Sequence, residues 1–158
     1  MMRWISHPAE RIKKRADEVR KSRRVNCMFN LNYDRKSVAF QREEMMKALS
    51  RLGLRVDRLP LKKYYSALME SRYVISPFGW GEVCIRDFEA VVAGGALIKP
   101  DMSHLETWPN IYVDGETYIP HSWHPETFYQ QIKEIIESDI YDAAGIVEAA
   151  RKKLEEEI

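Results

Sequence analysis

Apolar positions along the chain fall into short runs that alternate with stripes at helical spacing. Val25, Cys27, Met28, Phe29 and Leu31 sit in a run broken by Asn30, Asn32 and Asp34. That pattern predicts a first buried strand over 25–31, followed by a turn. Met45, Met46, Leu49 and Leu52 recur at helical spacing ahead of Gly53, so a helix is expected over 38–52. A second strand is expected over 54–57, a helix over 64–71 using Tyr65, Leu68 and Met69, and a third strand over 73–76. A loop then runs to Glu82. A helix over 83–93 is broken by Gly94 and Gly95, and a fourth strand follows over 96–99. Short strands are expected over 111–113 and 118–119. Phe128, Ile132, Ile135 and Ile136 mark a helix over 125–138. Ile140, Ala143, Val147, Ala150 and Leu154 mark a last one over 140–154. At the start, Ser6, Pro8 and Glu10 suit the opening of a helix that runs to about Ser22. Its apolar content is thin: Ile12, Ala16 and Val19.

Strands that alternate with helices favour a parallel sheet covered on both faces. The expected fold is therefore α/β, a Rossmann-like three-layer sandwich. It divides into a basic N-terminal helix (1–24), a Rossmann-like domain (25–138) and a C-terminal helix packed on it (139–158). In such sheets ligands bind beyond the carboxyl ends of the strands. The loops to inspect are thus 30–36, 57–62, 76–82 and 99–105.

Composition changes this picture little. The 158 residues suit one domain, and 45% hydrophobic with 31% charged residues argues against disorder. The net charge of +1 gives no case for nucleic acid. The charge is uneven, however. Nine bases and three acids lie between Met1 and Arg24, and seven acids and three bases between Glu137 and Ile158. Two readings stand: two solvated helix faces that attract one another, or interaction arms, with 3–24 touching an anionic membrane surface. The last helix's stripe likewise allows docking on its own sheet or a homodimer seam. Cys27 and Cys84 have no CxxC spacing, so neither a disulfide framework nor a zinc pattern is indicated. With no apolar run long enough to span a bilayer, a cytoplasmic protein, peripheral to a membrane at most, is expected.

The chemistry concentrates in 76–82. Gly79 and Gly81 flank Trp80 where a strand hands over to a helix. Glycines allow close approach of an anion, and the helix start offers free N–H groups and a positive dipole end. Phosphate is the usual occupant of such a place. Arg86 and Glu89 lie three apart on that helix and share a face. Arg86 suits a phosphate through its planar fork, and Glu89 suits two sugar hydroxyls.

These residues carry a resemblance. Ser76-Pro77, Gly79-Trp80-Gly81-Glu82, Arg86-Asp87-Phe88-Glu89-Ala90, Ala93-Gly94-Gly95-Ala96 and Ile98-Lys99-Pro100-Asp101 are similar to the donor-binding core of GT-B glycosyltransferases. The likeness is to the group-one and exostosin-like C-terminal halves. It implies a single GT-B half-domain whose donor substrate is a nucleotide-diphosphate sugar, with no metal and no other cofactor. Glu89 then resembles the glutamate that binds ribose. Gly79, Trp80, Gly81 and Glu82 resemble the loop facing the diphosphate or sugar. Arg86 would neutralise the leaving diphosphate. Pro60 and Leu61 resemble the loop that holds the base. Arg35 and Lys36 sit where relatives place phosphate-binding bases. Asp101, Ser103 and His104 sit where the donor sugar would lie, with His104 the local candidate for contacting it. Glu82 and Glu89 are seven apart, one short of the two-glutamate spacing of many retaining relatives. The acceptor site of a complete GT-B enzyme lies on its first half, so an acceptor base is expected from another domain or protein.

Other chemistries fit less well. His121 and His124 lack a third ligand at sensible spacing, which favours a packed turn around Trp123 over zinc. The first strand is not followed by GxGxxG, which argues against a dehydrogenase. The competing reading is a non-catalytic nucleotide-binding or scaffold module of the same fold.

Overall fold

A computed structural model describes residues 3–56 and 58–157. The elements are α1 (Arg3–Glu18), β1 (Arg23–Asn26), α2 (Lys36–Arg51), α3 (Leu61–Met69), β2 (Ser71–Ile75), α4 (Ile85–Val92), β3 (Ala96–Pro100), β4 (Ile119–His121), α5 (Pro125–Ser138) and α6 (Ala143–Glu157). The four strands form one sheet in the order β1-β2-β3-β4, and every pair is parallel. Tyr73 sits opposite both Val25 and Ala96, and Ile98 opposite Ile119.

Alternation along the strands divides the core in two. Tyr73, Ile75, Ala96, Ile98 and Ile119 face α2 and α5, where Met45, Leu49, Phe128 and Ile132 cover them. Val74, Leu97 and Tyr118 face the other way, onto Ala16, Leu68 and Ala90 of α1, α3 and α4. The result is the expected three-layer, Rossmann-like sandwich. The tail of α6 packs on α4, with Ala150 and Leu154 against Val91. Ala143, Val147, Ala150 and Leu154 of its stripe thus pack within the chain, while Ile140 is 56% exposed. The basic and acidic ends also meet: Lys13 pairs with Glu155, and Asp17 with Arg151 at 2.7 Å.

Several elements differ from expectation, each for a visible reason. The strand expected over 54–56 does not form, and Asp57 lies outside the described residues. Gly53 takes a left-handed φ of 72°, and Leu54 gives its N–H back to the Leu49 carbonyl, closing α2. Leu54 and Val56 still pack on the core, but by side chains alone. β1 stops at Asn26, whose side chain accepts the Met28 N–H and turns the chain. The strand expected over 111–113 is a loop. Thr117 serves its backbone instead, accepting from Val113 N–H and donating to the Ile111 carbonyl. The helix expected over 140–154 begins only at Ala143, because Asp139 is left-handed (φ 49°) and ends α5. α1 starts at Arg3, ahead of the expected opening at Ser6.

Two outgoing connections position the site. β1 leads into α2 on one face, whereas β2 leads into α4 on the other. Adjacent strands whose connections part in this way leave a crevice at their carboxyl ends.

Candidate functional site

The glycine loop is built on a buried carboxylate. Asp87, fully buried in the first turn of α4, accepts from the Ser76 hydroxyl (2.6 Å), the Cys84 N–H (2.9 Å) and the Tyr112 hydroxyl (2.7 Å). Lys99, equally buried on β3, pairs with it at 3.0 Å and lies over the Phe78 ring. Burial and the neighbouring carboxylate hold the Tyr112 phenol well above its usual range. An anion site is expected at the start of α4. The innermost position is taken by the chain's own carboxylate, which leaves the N–H groups of Ile85 and Arg86 as first-turn donors. Cys84, at the cap of α4, is held neutral by burial.

Neither Gly79 nor Gly81 adopts a positive φ. Gly79 is instead needed for close approach. A Cβ there would lie 3.3 Å from both the Cys84 Sγ and the Tyr33 hydroxyl. A Cβ on Gly81 would meet nothing. Gly95 is the tighter case, since a Cβ there would stand 2.5 Å from Val74 Cγ2.

Arg42 buckles the crevice shut from below. Its side chain is buried on α2 and donates to the carbonyls of Phe78 (2.7 Å), Asn30 (2.5 Å) and Pro77 (3.4 Å). It also stacks on Tyr33, 4.2 Å from the ring centre. The loops after β1 and β2 are therefore tied to one guanidinium. Burial lowers the pKa of that group from its usual value. No carboxylate pairs with it among the described residues.

The predicted ligand residues fall into three groups. In the first, Glu89 accepts from both Tyr64 and Tyr65, each hydroxyl at 2.7 Å. Burial raises the Tyr64 phenol, and the Glu89 bond pushes that of Tyr65 up to about 12. Arg86 lies over the Tyr64 ring at 5.7 Å rather than pairing with Glu89. Its Nη1 is buried and has no acceptor. Leu61, at the start of α3, is 71% exposed.

In the second group, Gly79, Trp80, Gly81, Glu82 and Arg35 border a cleft of about 310 Å³ between the loop and α2. Arg35 donates to the Trp80 carbonyl at 2.7 Å. Lys36 is exposed at the first position of α2. In the third, Asp101 accepts from the N–H and hydroxyl of Ser103, the N–H holding its carboxyl below the usual range. His104 is exposed and packs edge-on against Trp123, which donates to the Asp101 carbonyl at 3.2 Å. His104 thus contacts Trp123 and not the Arg86 group.

His121 is buried beside Phe128, with Nδ1 against the Ser122 carbonyl and Nε2 without a partner. His124 is exposed at the cap of α5, and no metal-binding cluster occurs among the described residues. Burial lowers the His121 pKa to about 4. The unfolded chain takes up that proton near pH 6.5 and the folded chain only near 4. Stability is therefore full above about 6.5 and falls as the pH drops toward 4, by up to about 3 kcal/mol. Urea titrations across this range should show the slope, and His121→Gln should flatten it.

No protein-family model and no curated protein matches the chain. The case for function therefore rests on the geometry and on the motif resemblance. A wider groove of about 950 Å³ lies at the opposite end of the molecule, between α1 and α6. There Lys21 donates to the last carbonyls of α3 and α4, and Arg151 to those of α4. These contacts cap helix ends, as bases do at that pole.

Reasoning from sequence missed Asp87, Lys99 and Arg42. Asp87 and Lys99 stand inside the motif run, but charged residues on a mostly apolar helix and strand look like solvent-facing positions. A full apolar run around Lys99 (Ala96 to Ile98) was the available signal of its burial.

Proposed function

We propose that this chain is the nucleotide-sugar-binding domain of a glycosyltransferase. The carrying observation is that Glu89, held by two phenols, and Arg86, stacked on one of them, stand together on α4. Two phenols orient the Glu89 carboxylate and leave each oxygen a free lone pair for a vicinal diol. One turn nearer the helix start, Arg86 presents a buried Nη1 with no acceptor. Ribose at Glu89 would set the diphosphate against Arg86 and the first-turn N–H groups of α4. As the bond from sugar to diphosphate breaks, charge builds on the leaving phosphates, and these fixed donors stabilise it. Glycine-loop carbonyls held by Arg42 keep the donors in place. The motif run that is similar to GT-B donor domains supports the same assignment.

Calorimetry with UDP, GDP and ADP tests this reading. At least one is expected to bind. Arg86→Ala should weaken it by about tenfold to a hundredfold, the worth of one charge-assisted bond. Glu89→Ala should cost at least as much for nucleotides and much less for inorganic diphosphate, which has no ribose. Absence of binding by the intact chain for all three would overturn it.

No described helix is long and apolar enough to cross a membrane. Contact of α1 with an anionic surface is not favoured as a second reading. Lys13 of α1 and Lys21 shortly after it are already engaged within the chain.

A further inference from the structure

We infer that the cleft between α2 and the glycine loop binds a neutral saccharide. The assignment stands on the lining of the cleft.

Three large rings border this one cleft while remaining open to solvent: Phe40 (57% exposed), Trp80 (65%) and Trp123 (43%). Scattered single exposed apolar residues are ordinary, but a cluster around a concavity marks a binding place. Two of the rings are pre-positioned from behind. Trp123 packs on Phe78 at 4.5 Å, and Trp80 lies 6.2 Å from Tyr33 with its carbonyl held by Arg35.

The polar groups select among ligands. Arg35, Gln41 and Glu82 stand at the rim. One cation and one anion give the cleft no net charge, so a phosphate or a nucleic-acid strand would meet Glu82 unfavourably. A pyranose offers what this lining lacks. Its C–H faces carry partial positive charge and suit the negative faces of aromatic rings. Its hydroxyl edge suits an amide, a carboxylate and a guanidinium. Size agrees, since about 310 Å³ lies at the small-molecule end of binding pockets, roughly 300–1,000 Å³. A protein partner would need about 20–30 residues a side, and twelve line this cleft.

Position completes the case. Glu89 and its tyrosines lie on the α3 and α4 face of the sheet, whereas the cleft lies on the α2 and α5 face. The glycine loop lines the cleft and leads into α4, which carries Glu89.

Saturation-transfer NMR with maltose, cellobiose, lactose and chitobiose, each up to about 10 mM, is the test. It is run beside nucleotide calorimetry on the same samples. At least one disaccharide should bind the intact chain. Phe40→Ala, which alters an exposed side chain remote from Arg86 and Glu89, should weaken it by about three- to tenfold. Nucleotide affinity should not change. Nucleotide binding with no bound disaccharide would overturn this inference and leave the donor reading standing. Disaccharide binding that survives both Phe40→Ala and Trp123→Ala would overturn the placement. Disaccharide binding lost in Phe40→Ala, in a chain that binds no nucleotide, would keep the saccharide site and overturn the donor reading alone.

Discussion

Asp87→Ala is expected to lower the stability of the protein by about 3–5 kcal/mol, read as a fall in the urea midpoint. The cause is not the loss of an attraction. A buried ion pair contributes little net stability, because both charges had to leave water. Removing one partner is costly because the other stays behind. Without Asp87 the Lys99 ammonium would be buried among apolar atoms, and Ser76, Tyr112 and the Cys84 N–H would lose their acceptor. Lys99→Met should cost less, since the carboxylate keeps three donors. The double variant should lose less than the two single losses added together, because neither charge is then stranded. A loss below about 1 kcal/mol for Asp87→Ala would mean that water reaches the pair.

Arg42 should give the second large effect. Arg42→Ala leaves the Asn30, Pro77 and Phe78 carbonyls short of a donor and removes the cation stacked on Tyr33. The expected loss is about 3–5 kcal/mol, a value reserved for buried hydrogen-bond networks. Arg42→Lys separates charge from shape. A lysine restores the cation but not a fork that can reach three carbonyls, so less than half of the loss should be recovered. Nucleotide affinity of the lysine variant should fall as well, because the loop that carries Gly79 is no longer tied to the loop after β1. Wild-type stability in Arg42→Lys would show that the charge, and not the fork, matters.

The limits of legibility are instructive residue by residue. The helix over 125–138 was fully visible, because four apolar side chains at helical spacing leave one face to bury. The strand expected over 54–57 had the right residues and no ladder. Whether an extended segment becomes a strand depends on a neighbour that offers free backbone groups, and Leu54 had already given its N–H to α2. Gly79 takes no positive φ. Its lack of a side chain matters because Cys84 and Tyr33 come close, and neither contact is local in sequence. Tyr65 reads as an apolar position of its helix, yet it and Tyr64 both hold Glu89 from a different helix.

The sequence by itself determined the α/β order and the parallel sheet with two covered faces, and it singled out the run from Ser76 to Asp101 as a candidate site. Those features follow from periodicity and from glycines and charges close together along the chain, which act locally. The tertiary structure alone decided the rest. It buried Asp87 with Lys99, hung two loops on Arg42, set two phenols on Glu89 and gathered Phe40, Trp80 and Trp123 around one cleft. Each of these joins residues from separate elements. Their energies come from desolvation and from donor–acceptor geometry, which exist only once the layers have packed.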